Sequence, residues 1–204
     1  MDSTSRENGT VKKNRPPVKK PNLELRCREH LLPHEVEALI KAARDTRYPE
    51  RNSTLILIMY RHGLRVGEAI ALRWAQFDLG MGLVHINRLK KGVPSTHPLS
   101  AKESRALHTL KRQNKFNSPF VFVSERGAPF SDRGIRKIIF EAGERAELDF
   151  PVHPHMLRHA CGYYLALHGH DTRAIQAYLG HRSIEHTVRY TALAPDRFKN
   201  FWQD

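Results

Sequence analysis

Six apolar side chains in succession, Leu55 to Tyr60, stand in the segment RNSTLILIMYRHG. A helix that is apolar around most of its circumference has no face to give to water, so this segment predicts a central helix covered by other elements. Gly63 marks its stop. The covering elements read as helices too. After Pro33, the residues Val36, Leu39, Ile40 and Ala43 recur at the spacing of one helical face. Val66, Ala69, Ile70 and Trp74 in RVGEAIALRW predict a short third helix. In SAKESRALHTLKRQ, Ser100 with Glu103 three residues later has the spacing of a capping box.

Further along, Ser131 or Asp132 opens a helix through Ile135, Ile138, Ile139 and Ala142, and Pro151 and Pro154 separate it from the next. After Pro154 the apolar positions Met156, Leu157, Ala160, Tyr164 and Leu167 are again helical in period. DTRAIQAYLGH predicts a capped short helix stopped by Gly180, and SIEHTVRYT another. Strand signals are few. Val84 and Ile86 alternate ahead of a turn at Lys91, Gly92 and Val93, which predicts a small β-hairpin, and SPFVFVSE predicts one more short strand. The expected fold class is mainly α with a small antiparallel β-sheet. Trp74, Phe140, Tyr60, Tyr163 and Tyr164 are expected in the core.

The 204 residues with 40% hydrophobic content can bury one sizeable core. Residues 1–30 are expected to be a basic disordered arm, because three prolines and the stretch VKKNRPPVKK leave almost nothing apolar to bury. A DNA-contacting arm and a linker remnant fit that composition equally. Residues 31–204 are expected to form the folded domain with a C-terminal helix carrying Phe198, Phe201 and Trp202. That helix fits either a neighbouring protomer or its own domain.

Thirty-four Lys and Arg against 21 Asp and Glu give a formal charge of +13, which favours a polyanionic partner, nucleic acid first. The two cysteines are far apart in sequence, the start is polar, and no apolar run reaches the length of a membrane span. A soluble cytoplasmic protein away from membranes is expected.

The chemistry concentrates in HPHMLRHACGYY, where His153, His155 and His159 surround Arg158. A metal site, a phosphate site and a buried helix that happens to carry histidines all compete for this segment. His155 and His159 have helical metal spacing, yet Arg158 between them would repel a dication, and no cysteine pair lies near. His155 and Arg158 share one face near a helix N-terminus, a corner that favours anions through its free N–H groups and dipole.

Two other segments decide among these readings. YRHGLRVGEAIALRW holds Gly63, Arg65 and Glu68, and IQAYLGHRSIEHTVRYT holds His181 and, nine residues on, Tyr190. With Lys90 near the predicted turn and the pair His155 and Arg158, the chain resembles the tyrosine recombinase (phage integrase) family of DNA strand-exchange enzymes over residues 31–194. The segments NRLKKG, THPL and HPHMLRH are most similar to the bacterial fimbrial phase-variation recombinases. Most family members carry a helical DNA-clamping domain of about a hundred residues ahead of the catalytic one, whereas about thirty largely polar residues precede it here; the fimbrial group also lacks that domain.

The resemblance implies the tyrosine recombinase catalytic-domain fold and a set of roles. Tyr190 would be the nucleophile, forming a 3′-phosphotyrosyl link; Arg65 and Arg158 would clamp the scissile phosphate; Lys90, or Lys91 beside it, would protonate the leaving oxygen; His155 would take the tyrosine proton or hold the phosphate, and His181 would hydrogen-bond the same phosphate oxygens. His153, His159 and His186 are expected to be structural or close to DNA. No cofactor and no metal are expected, since two guanidinium groups and a lysine already neutralise the phosphate. The implied partners are double-stranded DNA with short inverted repeats, three further copies of the chain in a tetramer, and DNA-bending accessory proteins. The implied function is inversion of a promoter-bearing segment in fimbrial phase variation; the alternatives are a catalytically silent DNA-binding regulator and a type IB topoisomerase-like relaxing enzyme.

Overall fold

The computed structural model describes residues 28–89 and 92–192. The expected arm over residues 1–30 lies outside them except for its last three residues, and the C-terminal helix with Phe198, Phe201 and Trp202 lies outside them as well. Among the described residues the elements run α1 (Pro33–Ala42), α2 (Pro49–Arg61), α3 (Val66–Ala71), β1 (Phe77–Asp78), β2 (Leu83–Ile86), β3 (Ser95–Pro98), α4 (Ala101–Gln113), α5 (Asp132–Arg145), α6 (Pro154–Leu167), α7 (Thr172–Leu179) and α8 (Glu185–Ala192). The mainly helical expectation holds, and so does the small antiparallel sheet.

Helix α2 is the centre. Every residue from Asn52 to Tyr60 is buried, and α1, α4 and α6 pack around it. The caps fall where short polar side chains allow them: Ser100 accepts the Glu103 amide while the Glu103 carboxylate accepts the Ser100 amide at 2.8 Å, and Ser131 accepts from Gly134. Asp171 opens α7 by accepting from Arg173 and Ala174, and Gly180 ends it in the left-handed region at φ 65°.

The sheet has the order β1-β2-β3, antiparallel throughout. Val84 and Ile86 face the core, as their alternation predicts, while Leu83 and His85 face outward. Strand β3 is tied inward by a buried polar chain. His97 stacks on Tyr178 at 3.8 Å between ring centroids, its Nδ1 lies 3.0 Å from His62 Nδ1, and His62 Nε2 lies 2.9 Å from Glu103 Oε1. One chain of contacts therefore joins β3 to α2, α4 and α7.

Three local expectations are corrected. Helix α3 stops at Ala71, and Trp74 instead opens a short 3-10 turn, because Leu72 turns extended and its carbonyl accepts the Val121 amide at 2.9 Å. SPFVFVSE forms no strand: Val121, Phe122 and Val123 are buried, but the segment is fixed by isolated bridges, Arg73 to Phe120 and Val123 to Pro129, so no ladder develops. Phe140 is 45% exposed rather than core, since it falls off the Ile135, Ile139, Ala142 stripe that α5 buries.

Candidate active site

Glu68 organises the cationic side of the site. Its carboxylate, on the first turn of α3, accepts from the Arg65 amide at 3.0 Å, from Arg65 Nη1 at 2.7 Å, from Arg88 Nη1 at 3.0 Å and from the Leu89 amide at 3.1 Å. Arg158 Nη1 lies 4.0 Å away. Burial drives the carboxyl upward, but the Arg65 amide and the Arg88 guanidinium outweigh it and hold Glu68 below the usual carboxylate range. A buried anion thus compensates three guanidinium groups in a space that would otherwise reject them.

Arg158 projects from the second turn of α6 and is buried, donating to the Gly63 carbonyl and, at 2.8 Å, to the Leu179 carbonyl. Burial first, then repulsion from Arg65 and Arg88, brings its pKa down to about 10, so it stays a cation at neutral pH. Guanidinium carries five N–H groups, and the two used on carbonyls leave others for an incoming anion. Arg65, at the entrance to α3, is the more open of the two, with its side chain 22% exposed. His155, on the first turn of α6, is exposed.

Tyr190 lies on α8, only 1% exposed. Its ring packs edge-on to Tyr163 at 5.0 Å and lies 6.2 Å from the His181 ring. Gly162 makes room for it: a Cβ there would come within 2.7 Å of the ring. The His181 ring is fixed by Thr187 Oγ1, 2.8 Å from Nδ1. Burial and the field of Arg158 and Arg65 push the His181 pKa down to about 3, so the imidazole is neutral.

The Tyr190 hydroxyl lies 2.9 Å from His159 Nδ1, and Arg189 Nη2 lies 2.8 Å from that same nitrogen. Burial and the Arg189 charge push the His159 pKa down to about 3, while burial raises that of Tyr190 despite Arg189 and Arg158 nearby. An imidazole of so little basicity cannot take a phenolic proton. The contact is that of a neutral imidazole with a buried phenol whose pKa burial raises.

Of the six residues expected at the site, Arg65, His181 and Tyr190 come within electrostatic reach of Arg158, while His155 is exposed on α6 with its ring 6.2 Å from that of His159. Lys90 and its alternative Lys91 fall outside the described residues. Arg88 is not among the expected site residues, although the inward register of Val84 and Ile86 continues to position 88 and so signals a buried cation. His159, expected to be structural or close to DNA, packs against α8 with its imidazole touching the Tyr190 hydroxyl. No local pattern carries that contact, which depends on how α8 crosses α6.

A mainly helical domain with a three-stranded antiparallel sheet, two arginines and a histidine–tyrosine pair gathered at one place defines the catalytic-domain fold of tyrosine recombinases. The chain belongs to the phage integrase family, whose model matches residues 29–197. It is 44% identical over 179 residues to the type 1 fimbriae regulatory protein FimB of Escherichia coli strain K12, covering 86% of this chain and 90% of that protein. To FimE of the same strain it is 43% identical over 181 residues, 86% of this chain and 91% of the relative. The tyrosine recombinase XerC of Bacillus pumilus is 31% identical over 194 residues, and there the chain spans 63% of the relative's length and 89% of its own. Among solved structures, XerA recombinase superposes with a TM-score of 0.72 at 27% identity over 84% of this chain and 63% of that one. XerH recombinase in a post-cleavage complex with a palindromic difH substrate also gives 0.72, at 23% identity over 94% and 57% of the two chains, a likeness of fold.

Proposed function

We propose that the chain is a site-specific tyrosine recombinase that cleaves and rejoins DNA through a 3′-phosphotyrosyl intermediate and inverts a short segment controlling fimbrial expression. The observation that carries the reading is the gathering of Arg65, Arg158, His181 and Tyr190 from three separate stretches of the chain: Arg65 and Arg158 meet at the Glu68 carboxylate, Arg158 is within electrostatic reach of Tyr190, and the Tyr190 ring lies 6.2 Å from that of His181. The similarity to FimB and FimE supports the fimbrial setting.

Strand exchange without an external energy source needs a covalent intermediate that conserves the phosphodiester bond energy. In the first step the Tyr190 oxygen bonds to phosphorus as the bond to the 5′-oxygen breaks. The phenolic proton leaves to a base and the 5′-oxygen takes one from an acid. Arg65 and Arg158 neutralise the non-bridging oxygens, since phosphoryl transfer is mostly positioning and charge stabilisation. Planar guanidinium suits that task because it donates parallel hydrogen bonds and keeps its charge. His155 and His181 hydrogen-bond the phosphate, and Lys90 or Lys91 protonates the leaving oxygen. Reversal by the 5′-hydroxyl of another strand rejoins the DNA. Tyr190 must swing away from His159 to attack, so DNA binding has to release that contact. The reaction as written calls for no cofactor.

The partners of this reading are double-stranded DNA bearing short inverted repeats, a tetramer of this chain across two sites, and DNA-bending accessory proteins, all in the cytoplasm. A suicide duplex nicked within the inverted repeat tests it. Wild-type protein is expected to form a covalent adduct and Tyr190→Phe none, and a plasmid carrying paired repeats is expected to invert. Binding without an adduct would identify a silent regulator, and relaxation without inversion a topoisomerase-like enzyme.

A further inference from the structure

The side chain of Arg88 is 0% exposed and reaches three elements at once. Besides Glu68 it donates to the His62 carbonyl at 3.0 Å, just past the end of α2, and to the Tyr178 carbonyl near the end of α7. Its Nη1 also lies 3.5 Å from the Gly63 carbonyl, the acceptor that Arg158 uses. Its aliphatic stem runs between two glycines. A Cβ on Gly92 would stand 2.8 Å from Arg88 Cβ and 2.7 Å from the Gly180 carbonyl; one on Gly180 would stand 2.5 Å from Arg88 Cγ and 2.8 Å from the Val93 carbonyl. The two sides of the β2–β3 turn are thus held in different ways. Leu89 is hydrogen-bonded to Glu68, and Gly92 lies against the backbone one residue before His181.

Such a residue is not needed to fill space. An apolar side chain of similar volume would avoid burying a charge, and the Arg88 Nε has no hydrogen-bond partner among the described residues. What an arginine adds is direction, with separate N–H groups fixing the hairpin root to α2, α3 and α7 at set angles.

We infer that Arg88 is a positioning residue of the strand-exchange site, locking the base of the β2–β3 hairpin against Glu68 and Gly180 and so setting where the leaving-group proton is delivered. This rests on the recombinase reading above and adds to it a residue that need not touch DNA. Because Glu68 also holds Arg65, Leu89 on one side of the turn is tied to the same carboxylate that orients the phosphate clamp.

The test compares single-turnover adduct formation on two suicide duplexes, one with the ordinary scissile phosphodiester and one with sulfur in place of the bridging 5′-oxygen. A thiolate leaves without being protonated, so the sulfur duplex restores only what a misplaced donor has lost. Arg88→Lys keeps the charge and loses the fork; it is expected to slow adduct formation about 100-fold on the ordinary duplex and to react at near wild-type rate on the sulfur duplex, with DNA affinity unchanged. The double variant Lys90→Ala, Lys91→Ala gives the reference for a donor wholly removed. Gly92→Ala disturbs the same joint without touching a charge and is expected to follow the same pattern, which covers the case in which Arg88→Lys does not fold. Equal slowing on both duplexes, or no slowing, in whichever variant folds would overturn the inference. Failure of wild-type protein to form any adduct would instead remove the recombinase reading.

Discussion

At the scale of single residues the site depends on a few contacts that tolerate little change. Glu68 is the clearest case, since its carboxylate accepts four hydrogen bonds and has a third guanidinium, that of Arg158, at 4.0 Å. Glu68→Gln removes the charge but keeps an acceptor, leaving Arg88 and Arg158 buried with too little compensation. The loss is expected to be about 3 kcal/mol at neutral pH by urea denaturation, the lower part of the range for a broken buried pair. Because the folded carboxyl titrates below its unfolded value, this contribution is present above about pH 4.5 and lost as pH falls through the folded pKa. The gap between wild type and Glu68→Gln should therefore narrow with acidification. A second residue-scale expectation concerns Gly162, which has no room for a Cβ beside the Tyr190 ring. Gly162→Ala should cost about 1–3 kcal/mol and displace Tyr190 from His159. It should change adduct formation on a suicide duplex more than DNA affinity, and an unchanged rate would show that the tyrosine's packing does not bear on its attack.

At the scale of elements, function is placed by how helix ends meet. Gly63 just after α2 and Leu179 at the end of α7 offer their carbonyls to Arg158, so the clamp draws its orientation from the ends of two other helices. Gly180 joins α7 to His181 in the left-handed region, where an L side chain is strained. Gly180→Ala combines that strain with a clash against Arg88 and the Val93 backbone. It should destabilise the protein by about 2 kcal/mol and slow adduct formation, read by thermal denaturation and single-turnover assay. The apolar period of α6 and the stop glycines were legible in the sequence because helices repeat locally. SPFVFVSE was misread for the opposite reason: a buried apolar run looks like a strand whether or not a partner strand exists, and here the partner was an irregular segment around Arg73.

At the scale of the whole molecule, two properties come from sums over many groups. His97 and His181 are held neutral in the fold, each with a pKa near 3, chiefly by burial. Unfolded, they take up protons near pH 6.5. Between those values the unfolded chain binds more protons, so stability is full above pH 6.5 and declines as pH falls toward 3, by about 1.4 kcal/mol per pH unit for each group. Urea midpoints at pH 7.5 and 5.5 should differ in that direction, and equal midpoints would contradict burial of the neutral rings. The formal charge of +13 acts at longer range. Affinity for DNA should fall steeply and linearly on logarithmic axes with salt concentration as phosphate contacts release counterions. A flat response in a titration from low to physiological salt would separate binding from that charge.

The amino-acid sequence alone determined which segments are helical, where those closed by glycine stop, and which residue types stand at family spacing, because periodicity, capping and motif order are properties of neighbours along the chain; the end of α3 at Ala71 was not among them. Glu68 as the partner of Arg65 was also legible, three residues apart on one turn. Arg88 beneath the hairpin and His159 against the Tyr190 hydroxyl were decided by the tertiary structure. Each contact joins residues twenty or more positions apart, and its distance depends on the angles at which whole elements pack, which no local pattern records.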